Sequence, residues 1–314
     1  MSAGFPRFVA AGEALTDMIR SEGEHWVSKT GGSTWNVARA AAALGVRSAF
    51  AGAISNCCFG DDLWDASAEA GLDLRFVQRV ERSPLLAIVA QSQPPNYFFI
   101  GDDSADLYFD PAALPSGWQQ QTEWAHFGGI SLARAPLAER LVALAARLQA
   151  GGVGISYDAN FRKLMDERYT PTFEAMCRLA RVIKLSDEDL AGLLPGTDPA
   201  QALARVREWN PQAWLLYTEG AKGATLLTPQ GQWQASPPPI TVVDTVGAGD
   251  ASIAGLIVSL LRSPDSTPAA HLGFAIAAGS AACQSAGAAP PNLESTQALV
   301  ARVEVRKIDC SEPA

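Results

Sequence analysis

Positive charge and histidine are scarce in this sequence. Its 314 residues include 24 Lys and Arg against 33 Asp and Glu, a net charge of −9, and only 3 His. Nucleic acids and anionic membranes are bound by basic surfaces, so the charge balance argues against both as partners. His25, His126 and His271 are scattered and match no serine or cysteine nucleophile in the pattern of a hydrolase triad. The sequence therefore disfavours nucleic-acid-binding proteins and triad hydrolases.

Cysteine pairs and membrane-length apolar runs are also lacking. The 5 cysteines are odd in number and show no CxxC spacing, so we expect reduced thiols rather than disulfides or a zinc site. They are Cys57, Cys58, Cys177, Cys283 and Cys310. The longest apolar run, at 253–261, is too short to cross a bilayer, and the first residues show no basic segment followed by an apolar one. We expect a cytosolic protein.

The remaining composition is that of an ordinary soluble globular protein. Hydrophobic residues make up 48% of the chain and charged residues 18%. A chain of 314 residues exceeds the usual size of a single core. We therefore expect one large α/β domain with an appendage, or two domains.

The most informative stretch is a glycine turn between a predicted strand end at 242–243 and an apolar helical pattern. Small residues at Gly247, Ala248 and Gly249 let the backbone approach a ligand closely, and the first helical turn leaves N–H groups without internal partners. Such a turn binds anions. Asp250 lies in the same turn, where a fixed negative charge would not help to hold an anion. We infer that Asp250 faces a group that loses a proton, which suggests phosphoryl transfer to a hydroxyl with Asp250 as general base.

The residues of this turn leave one plain alternative. It could be an ordinary helix start with an acidic residue that the helix dipole favours. Two nucleotide motifs are excluded. The turn is not a Walker A loop, because no Gly in the chain is followed by Lys. It is not a full dinucleotide fingerprint, because Ser252 stands at the third glycine position.

Two segments of the chain resemble the signatures of the ribokinase/fructokinase family of carbohydrate kinases, closest to fructokinase. The later one is Asp244-Thr245-x-Gly247-Ala248-Gly249-Asp250. The earlier one is Gly31-Gly32-x-x-x-Asn36-x-Ala38, followed by Leu44-Gly45. The two signatures occur in the right order, which is far more specific than either alone, and the resemblance extends over almost the whole chain.

The resemblance implies a ribokinase-like α/β fold, with a mainly parallel central sheet, helices on both of its faces and a small β-sheet lid. Residues 85–91 and 97–100 are β-rich runs that interrupt the alternation of strands and helices, which fits a small separate sheet. We expect residues 1–314 to form one kinase domain, with lid segments at about 15–31 and 84–109 inserted in it.

Residues expected to bind the sugar follow the first predicted strand and the paired glycines. Glu13 and Asp17 come after that strand, at the end where open α/β sheets bind ligands. In the family, the aspartate of this Gly-Glu-x-x-x-Asp spacing contacts sugar hydroxyls, which implies that role for Asp17; the alternative is a solvated turn residue. Gly31 and Gly32 permit close backbone approach, and Asn36 can both donate and accept hydrogen bonds, as a sugar hydroxyl requires. The alternative for Asn36 is a plain helix cap.

A further polar cluster ends the predicted strand at 154–157. Asp158, Asn160 and Arg162 follow it at two-residue spacing. A carboxylate, an amide and a guanidinium suit a polar ligand, and Arg is well shaped to hold phosphate oxygens. The run resembles the Asp-x-Asn-x-Arg of fructokinase-type and ketodeoxygluconate kinase-type members. We therefore expect Asp158 and Asn160 at the substrate and Arg162 in catalysis; a solvated loop is the alternative.

The resemblance also implies where ATP binds. The expected contacts are Lys184, Ser186, Thr218, Gly220, Gly223, Gly247, Gly249 and Ile276. Thr218-x-Gly220-x-x-Gly223 resembles the family's nucleotide-contacting turn, although by itself it would be a common hairpin. Ile276 is placed by counting back from Gly287 to the adenine-facing position of relatives.

Two metal positions follow from the same resemblance. Relatives have Asn-x-x-Glu in their magnesium–phosphate network, where this chain has Ser186 and Asp189. Aspartate is shorter than glutamate, so water-mediated Mg²⁺ binding by Asp189 stays an open expectation with Glu188 as a rival. A capped helix start with an acidic first turn would explain the same residues. Many relatives hold a monovalent cation at the positions of Asp244 and Val246, so K⁺ is an open second cation.

These expectations combine into a sugar kinase. We expect ATP- and Mg²⁺-dependent phosphorylation of D-fructose at its primary hydroxyl, by direct in-line transfer of the γ-phosphate. Asp250 would take the proton, and the amides of 247–250 would hold the developing charge. The lid would close over the sugar and form the contact of a homodimer, as it often does in the family.

Two other functions stay open. The first is phosphorylation of 2-keto-3-deoxygluconate or another keto-sugar acid. Residues 85–109 contain no Lys or Arg, which favours a neutral sugar. The second is a catalytically silent sugar or nucleotide sensor, which is less favoured because both the acidic base and the glycine turn are present.

Overall fold

The computed structural model describes residues 4–21, 23–92 and 95–308, without the side chains of 91, 92 and 95–97. Cys310, together with positions 22, 93 and 94 of the predicted lid segments, lies outside the described residues. The four cysteines inside them are free thiols. In this part of the chain, no helix has the length and apolar character needed to cross a membrane.

Strands and helices alternate through most of the described chain. The strands are β1 (Phe8–Ala11), β2 (Leu15–Arg20), β3 (Trp26–Gly31), β4 (Ser48–Ser55), β5 (Val77–Val80), β6 (Leu86–Ser92), β7 (Pro95–Ile100), β8 (Trp124–Gly128), β9 (Gly154–Asp158), β10 (Val182–Ser186), β11 (Trp214–Thr218), β12 (Ala224–Thr228), β13 (Gly231–Ser236) and β14 (Glu304–Ile308). The α-helices are α1 (Ser33–Ala43), α2 (Cys58–Glu69), α3 (Leu137–Ala150), α4 (Thr170–Leu179), α5 (Asp187–Leu193), α6 (Pro199–Trp209), α7 (Ala248–Arg262), α8 (Pro268–Ala282) and α9 (Leu293–Val300).

The central sheet of the described residues has ten strands, in the order β14-β13-β12-β11-β10-β9-β8-β1-β4-β5. The strands from β11 to β5 in this order pair in parallel, and β12, β13 and β14 add an antiparallel edge. Each face carries an apolar core. Tyr157 and Leu144 belong to one, while Trp35 and Ile253 belong to the other. The predicted mainly parallel sheet with helices on both faces is confirmed.

A separate sheet of four strands has the order β3-β2-β6-β7. β2 and β6 are parallel neighbours, and the two outer pairs are antiparallel. Phe109 is fully buried, in the same apolar core as Leu15 and Ala87 of this sheet. Side chains alternate between the faces of a strand, so β2, β6 and β7 point Asp17, Ala87 and Phe99 to one side.

One element differs from the sequence-based prediction. Val242 and Val243 were expected to end a strand, but residues 237–247 contain no strand and the two side chains are 56% and 59% exposed. Pro237, Pro238 and Pro239 lack backbone N–H groups, so the segment cannot continue a ladder of hydrogen bonds. The amide of Val243 instead donates to the carbonyl of Cys283, 2.8 Å away.

The starts of α1 and α7 lie at the ligand-binding edge of the central sheet. Gly32 precedes α1 with φ 114°, and Gly247 precedes α7 with φ 81°. Both values favour glycine over any residue with a Cβ. At Gly32 a Cβ would also stand 2.7 Å from the carbonyl oxygen of Glu13. The helices pack against each other and bring the two signature segments together.

Candidate functional site

A cavity of about 190 Å³ lies between the carboxyl ends of β1, β8 and β9 and the inner face of the small sheet. The starts of α1 and α7 form its remaining wall. Its lining consists of Glu13, Leu15, Asp17, Gly32, Ser33, Asn36, Ala87, Phe99, Gly129, Ile130, Asp158, Asn160, Arg162, Lys184, Val246, Gly247, Gly249 and Asp250. Ten of these residues were predicted as catalytic, as substrate-binding or as ATP contacts. They are Asp17, Gly32, Asn36, Asp158, Asn160, Arg162, Lys184, Gly247, Gly249 and Asp250.

Asp250 is held in the first turn of α7 by two side chains of α1. Ser33 Oγ donates to Asp250 Oδ1 at 2.8 Å, and Asn36 Nδ2 donates to Asp250 Oδ2 at 2.9 Å. Burial raises the pKa of Asp250, and the hydrogen bonds from Asn36 and Ser33 offset only part of that rise. Each carboxylate oxygen keeps a second lone pair. The carboxylate is therefore oriented, more basic than usual and still able to accept a proton.

Asn36 presents an unused acceptor to the same cavity. Its amide nitrogen is engaged by Asp250, while its Oδ1 is buried and has no hydrogen-bond partner among the described residues. A buried acceptor without a donor destabilises a protein by about 1–3 kcal/mol. A hydroxyl of a bound ligand would satisfy this atom, which favours the predicted substrate contact over a plain helix cap.

Asp17 enters the cavity from β2, on the inner face of the small sheet. Burial raises the pKa of Asp17 to about 6, against the opposing effect of the Arg162 charge. On the neighbouring strand β3, Gly31 pairs with Leu15 and leaves room for the Asp17 carboxylate. A Cβ at Gly31 would overlap Asp17 Oδ2. The close approach explains why glycine is needed at Gly31.

A buried ion pair lies beneath the glycine turn. Lys184 Nζ is 2.9 Å and 3.1 Å from the two carboxylate oxygens of Asp158. Burial alone would lower the pKa of Lys184, but the carboxylates of Asp158 and Asp189 outweigh it and raise that pKa. Burial also raises the pKa of Asp158, to about 6. A Cβ on Gly249 would lie 3.4 Å from Lys184 Nζ, so this cation lies directly beside the anion-binding turn.

The loop after β9 places Arg162 at the cavity. Asn160 has φ 45°, a conformation that asparagine tolerates better than most residues. Arg162 Nη1 donates to Asn160 Oδ1 at 2.7 Å and to the carbonyl of Phe161 at 2.7 Å. The loop is further fixed by Asp189, whose Oδ1 accepts from the amide of Phe161 at 2.6 Å. The cluster predicted from the sequence is therefore assembled at the cavity.

Ser186 and Asp189 form a capping box at the start of α5. Asp189 Oδ2 accepts from the amide of Ser186 at 2.7 Å, and Ser186 Oγ accepts from the amide of Asp189 at 3.0 Å. Both oxygens of the buried Asp189 carboxylate thus accept hydrogen bonds from backbone amides. The Glu188 side chain is exposed. Among the described residues, no three His, Cys, Asp or Glu side chains converge on a metal-sized position.

The other residues predicted to contact ATP lie outside the cavity. Thr218 is paired with Ser186 at the carboxyl ends of β11 and β10. Gly220 and Gly223 shape the turn that follows, with φ 55° and 102°. Ile276 is a buried residue of α8. The predicted nucleotide contacts on β10 and β11 thus continue along the same edge of the sheet from Lys184.

The loop with the two candidate ligands of a monovalent cation is braced by Asp244. Asp244 Oδ1 accepts from the amide of Val246 at 3.1 Å, and its Oδ2 accepts from the amide of Gly287 at 2.8 Å. The side chain of Val246 is 51% exposed. The carboxylate therefore joins the signature loop to the loop after α8.

Sequence reasoning missed several residues of the site. Ser33 stands three positions before Asn36 on α1, and helical spacing could have placed both on the face that meets Asp250. Phe99 and Ile130 are apolar residues whose position depends on how the small sheet meets the central one, which no local pattern reveals. Glu13 was recognised as lying at the end of β1 but was given no role.

Comparison with known proteins gives one family over most of the chain. Residues 7–295 match the model described as pfkB family carbohydrate kinase. An aminoimidazole riboside kinase from Salmonella typhimurium is 28% identical over 263 residues, covering 80% of this chain and 80% of that protein. A fructokinase from Vibrio alginolyticus is 30% identical over 263 residues, covering 81% of this chain and 84% of that protein.

Solved structures of fructokinases superpose on this chain. A fructokinase with bound ATP from Xylella fastidiosa superposes with a TM-score of 0.85 at 28% identity, covering 95% of this chain and 99% of that one. A fructokinase from Vibrio cholerae O395, in a form bound to fructose, ADP and calcium ion, has a TM-score of 0.82 at 27% identity, covering 93% and 98%. The predicted family and ribokinase-like fold are confirmed.

Proposed function

The chain belongs to the pfkB family of carbohydrate kinases, and we propose that it transfers the γ-phosphate of ATP to the primary hydroxyl of D-fructose. The kinase activity itself follows from the family. The observation that carries the mechanism is the carboxylate of Asp250, which Ser33 and Asn36 orient where the cavity meets the glycine turn of α7.

The chemistry of the cavity supports a sugar as the acceptor. Four carboxylates line it, at Glu13, Asp17, Asp158 and Asp250, together with the unused oxygen of Asn36. Carboxylates and amide oxygens accept hydrogen bonds from hydroxyl groups, which a sugar carries in number. Fructose is favoured over other sugars by the fructokinase relatives at about 30% identity and by the lack of Lys and Arg in 85–109.

Asp250 would accept the proton of the sugar hydroxyl as that oxygen attacks the γ-phosphorus. The raised pKa of Asp250 suits this role, because a stronger base takes the proton more readily. The amides of Gly249 and Asp250 in the first turn of α7 would bind the phosphoryl oxygens, with Lys184 beside them and Arg162 also at the cavity. The small sheet would close over the sugar and exclude water, so that ATP is not hydrolysed.

Mg²⁺ and a monovalent cation would complete the site. Mg²⁺ prefers phosphate oxygens, water and one or two carboxylates. Asp189 fits such a role through water only, because both of its oxygens already accept backbone hydrogen bonds. Bound with ATP, Mg²⁺ supplies charge neutralisation at the phosphates. Asp244 and the carbonyl of Val246 stay our proposed ligands for K⁺.

One observation favours a second candidate substrate. Arg162 lines the cavity and its charge acts on Asp17, so a cation is available there despite its absence from 85–109. A guanidinium pairs well with a carboxylate. A keto-sugar acid such as 2-keto-3-deoxygluconate would use this pairing, which a neutral ketose would not.

A panel of acceptors tests the proposed function. ADP release with ATP and Mg²⁺ should be fastest with fructose among fructose, ribose, tagatose, adenosine and 2-keto-3-deoxygluconate, with kcat/KM at least about tenfold above the others. A tenfold preference needs only about 1.4 kcal/mol of differential binding. Turnover confined to the keto-acid would give Arg162 the role of carboxylate ligand. Absence of turnover with every acceptor would favour a silent sensor.

We also propose that two copies associate through the outer face of the small sheet. Met18, Ile88 and Phe98 share that face, and Trp26, Phe98 and Ile100 are 43%, 54% and 52% exposed. An apolar face of this kind on a soluble protein marks an interaction surface. Sedimentation should show a dimer that the change Phe98→Asp converts to monomer, and a monomeric parent protein would contradict the proposal.

A cytosolic location is part of the same proposal. The described cysteines are free thiols, as is usual in a reducing compartment. Cell fractionation should recover the activity with the cytosolic fraction.

A further inference from the structure

Glu13 is a buried carboxylate that lines the cavity and has no part in the mechanism above. It follows Gly12 at the end of β1, and only 2% of its surface is exposed. Its backbone is held firmly, because Thr34 Oγ1 at the start of α1 donates to the Glu13 carbonyl at 2.9 Å. The side chain is therefore presented to the cavity from a rigid position.

The carboxylate group contacts the loop after β8, with Ser131 as its hydrogen-bond partner. Its Oε2 accepts from the amide of Ser131 at 3.1 Å. Its Oε1 lies so close to Gly129, which has φ 65°, that a Cβ at this glycine would overlap the carboxylate. The loop thus makes room for Glu13 beside the cavity and supplies one backbone donor to it.

Burial disfavours the charged form of Glu13. Burial raises the pKa of Glu13 to about 7, against 4.5 for an exposed glutamate, and the nearby Asp106 adds to the rise. Between these two pH values the folded state binds more protons at this site than the unfolded chain, so stability falls as pH rises towards 7. The other charged groups of the cavity are Asp17 on β2, Asp158 on β9, Lys184 on β10, Arg162 in the following loop and Asp250 on α7.

A glutamine would keep the backbone hydrogen bond to the loop. Its amide oxygen can accept the bond from the Ser131 amide, and it carries no charge to bury. A residue that lowers stability without a structural need is expected where function requires it. The function that a carboxylate can serve here is to accept a hydrogen bond in the cavity, where a sugar substrate would supply hydroxyl donors.

We infer that Glu13 accepts a hydrogen bond from a hydroxyl of the bound sugar and thereby determines which sugars the kinase prefers. The inference rests on the proposed function, because it requires a sugar in this cavity. Asp250 and Asn36 hold the acceptor hydroxyl at the starts of α7 and α1, so Glu13, on the floor at the end of β1, contacts a different hydroxyl. It is therefore a specificity residue and not a second base.

The change Glu13→Gln separates this role from a structural one. We expect kcat/KM for fructose to fall roughly 10- to 100-fold, the factor that one hydrogen bond between a hydroxyl and a charged group contributes, with KM for ATP unchanged. At pH 8 the variant should melt at a higher temperature than the parent protein, because it no longer buries a charge. Lower activity with equal or lower stability would instead indicate damage to the loop.

Monodeoxy derivatives of fructose identify the hydroxyl. With the derivative that lacks the partner hydroxyl of Glu13, the parent protein and Glu13→Gln should have nearly equal kcat/KM, while the other derivatives keep the full difference. Asp17→Asn provides a matched comparison and should couple to a different hydroxyl. An equal loss on every derivative would overturn the inference.

The pH profile of the parent protein is an independent test that needs no variant. Since ionised Glu13 is required, kcat/KM for the sugar should fall as pH drops below about 7. Glu13→Gln should lose that step and keep the lower titration near 6 of Asp17 and Asp158. A parent profile that is flat around 7 would contradict the assignment. If the acceptor panel selects another sugar, the proposal that fructose is the substrate is wrong. The role of Glu13 is then tested in the same way with monodeoxy derivatives of that sugar.

Discussion

Replacing Asp250 with Asn should lower turnover by about two to four orders of magnitude, the usual contribution of a general base. The amide has the size of the carboxylate but cannot take the hydroxyl proton. It also turns an NH₂ group towards either Asn36 Nδ2 or Ser33 Oγ, both of which donate to Asp250 in the parent protein. KM for ATP should change little, because in the proposed site the phosphates would contact backbone amides and not this side chain. Steady-state kinetics with both substrates measures the two effects separately.

Glu139→Gln is a matched control for this substitution. Glu139 is an exposed acidic residue in the first turn of α3, so this variant makes the same carboxylate-to-amide change at a helix start outside the cavity. We expect its turnover to stay within about twofold of the parent, since a surface substitution away from the site leaves the chemistry untouched. A loss of less than tenfold in Asp250→Asn would remove Asp250 from the role of base.

Lys184→Met should reduce the free energy of unfolding by about 3–5 kcal/mol, the effect of leaving one partner of a buried ion pair uncompensated. Asp158 is 1% exposed, and the structure gives its carboxylate no other cation within hydrogen-bond distance among the described residues. Adding Asp158→Asn should restore most of the stability, because the buried charge is then gone. Urea unfolding of the single and double variants measures both steps.

The second substitution, Asp158→Asn, should restore stability to Lys184→Met without restoring activity. Lys184 lies beside Gly249 at the anion-binding turn, so the double variant should be stable and still turn over slowly. Arg178→Met is the control: its ion pair with Glu174 is exposed, so it should change stability by less than about 1 kcal/mol. A loss below about 1 kcal/mol in Lys184→Met would show that the buried pair is not charged.

Local patterns in the sequence were enough to find the residues at element ends. Asp250 and Asn36 lie in the first turns of helices that follow glycines, and Asp158 is the last residue of a strand. Such positions share an edge in any parallel α/β sheet, so the sequence alone predicts that these residues lie close together. The two signature segments then indicated the family, and the family implies how the strands and helices are arranged.

Contacts between distant elements could not be predicted in this way. The bonds from Ser33 to Asp250 and from Lys184 to Asp158 depend on how α1 packs on α7 and on the register of β9 with β10. The strand predicted at 242–243 is absent, although valine favours strands. The prolines upstream lack the backbone N–H groups that would donate hydrogen bonds to a neighbouring strand. Glu13 was missed because burial, and not its neighbours in sequence, makes it unusual.

In the proposed reaction, the γ-phosphate of ATP passes directly to the sugar within this cavity. The most direct measurement follows the label of [γ-³²P]ATP in the presence of fructose and Mg²⁺. We predict one labelled fructose phosphate for each ADP formed, no label on the protein, and loss of both products together in Asp250→Asn. Label that appears as inorganic phosphate, or on the protein itself, would contradict the account.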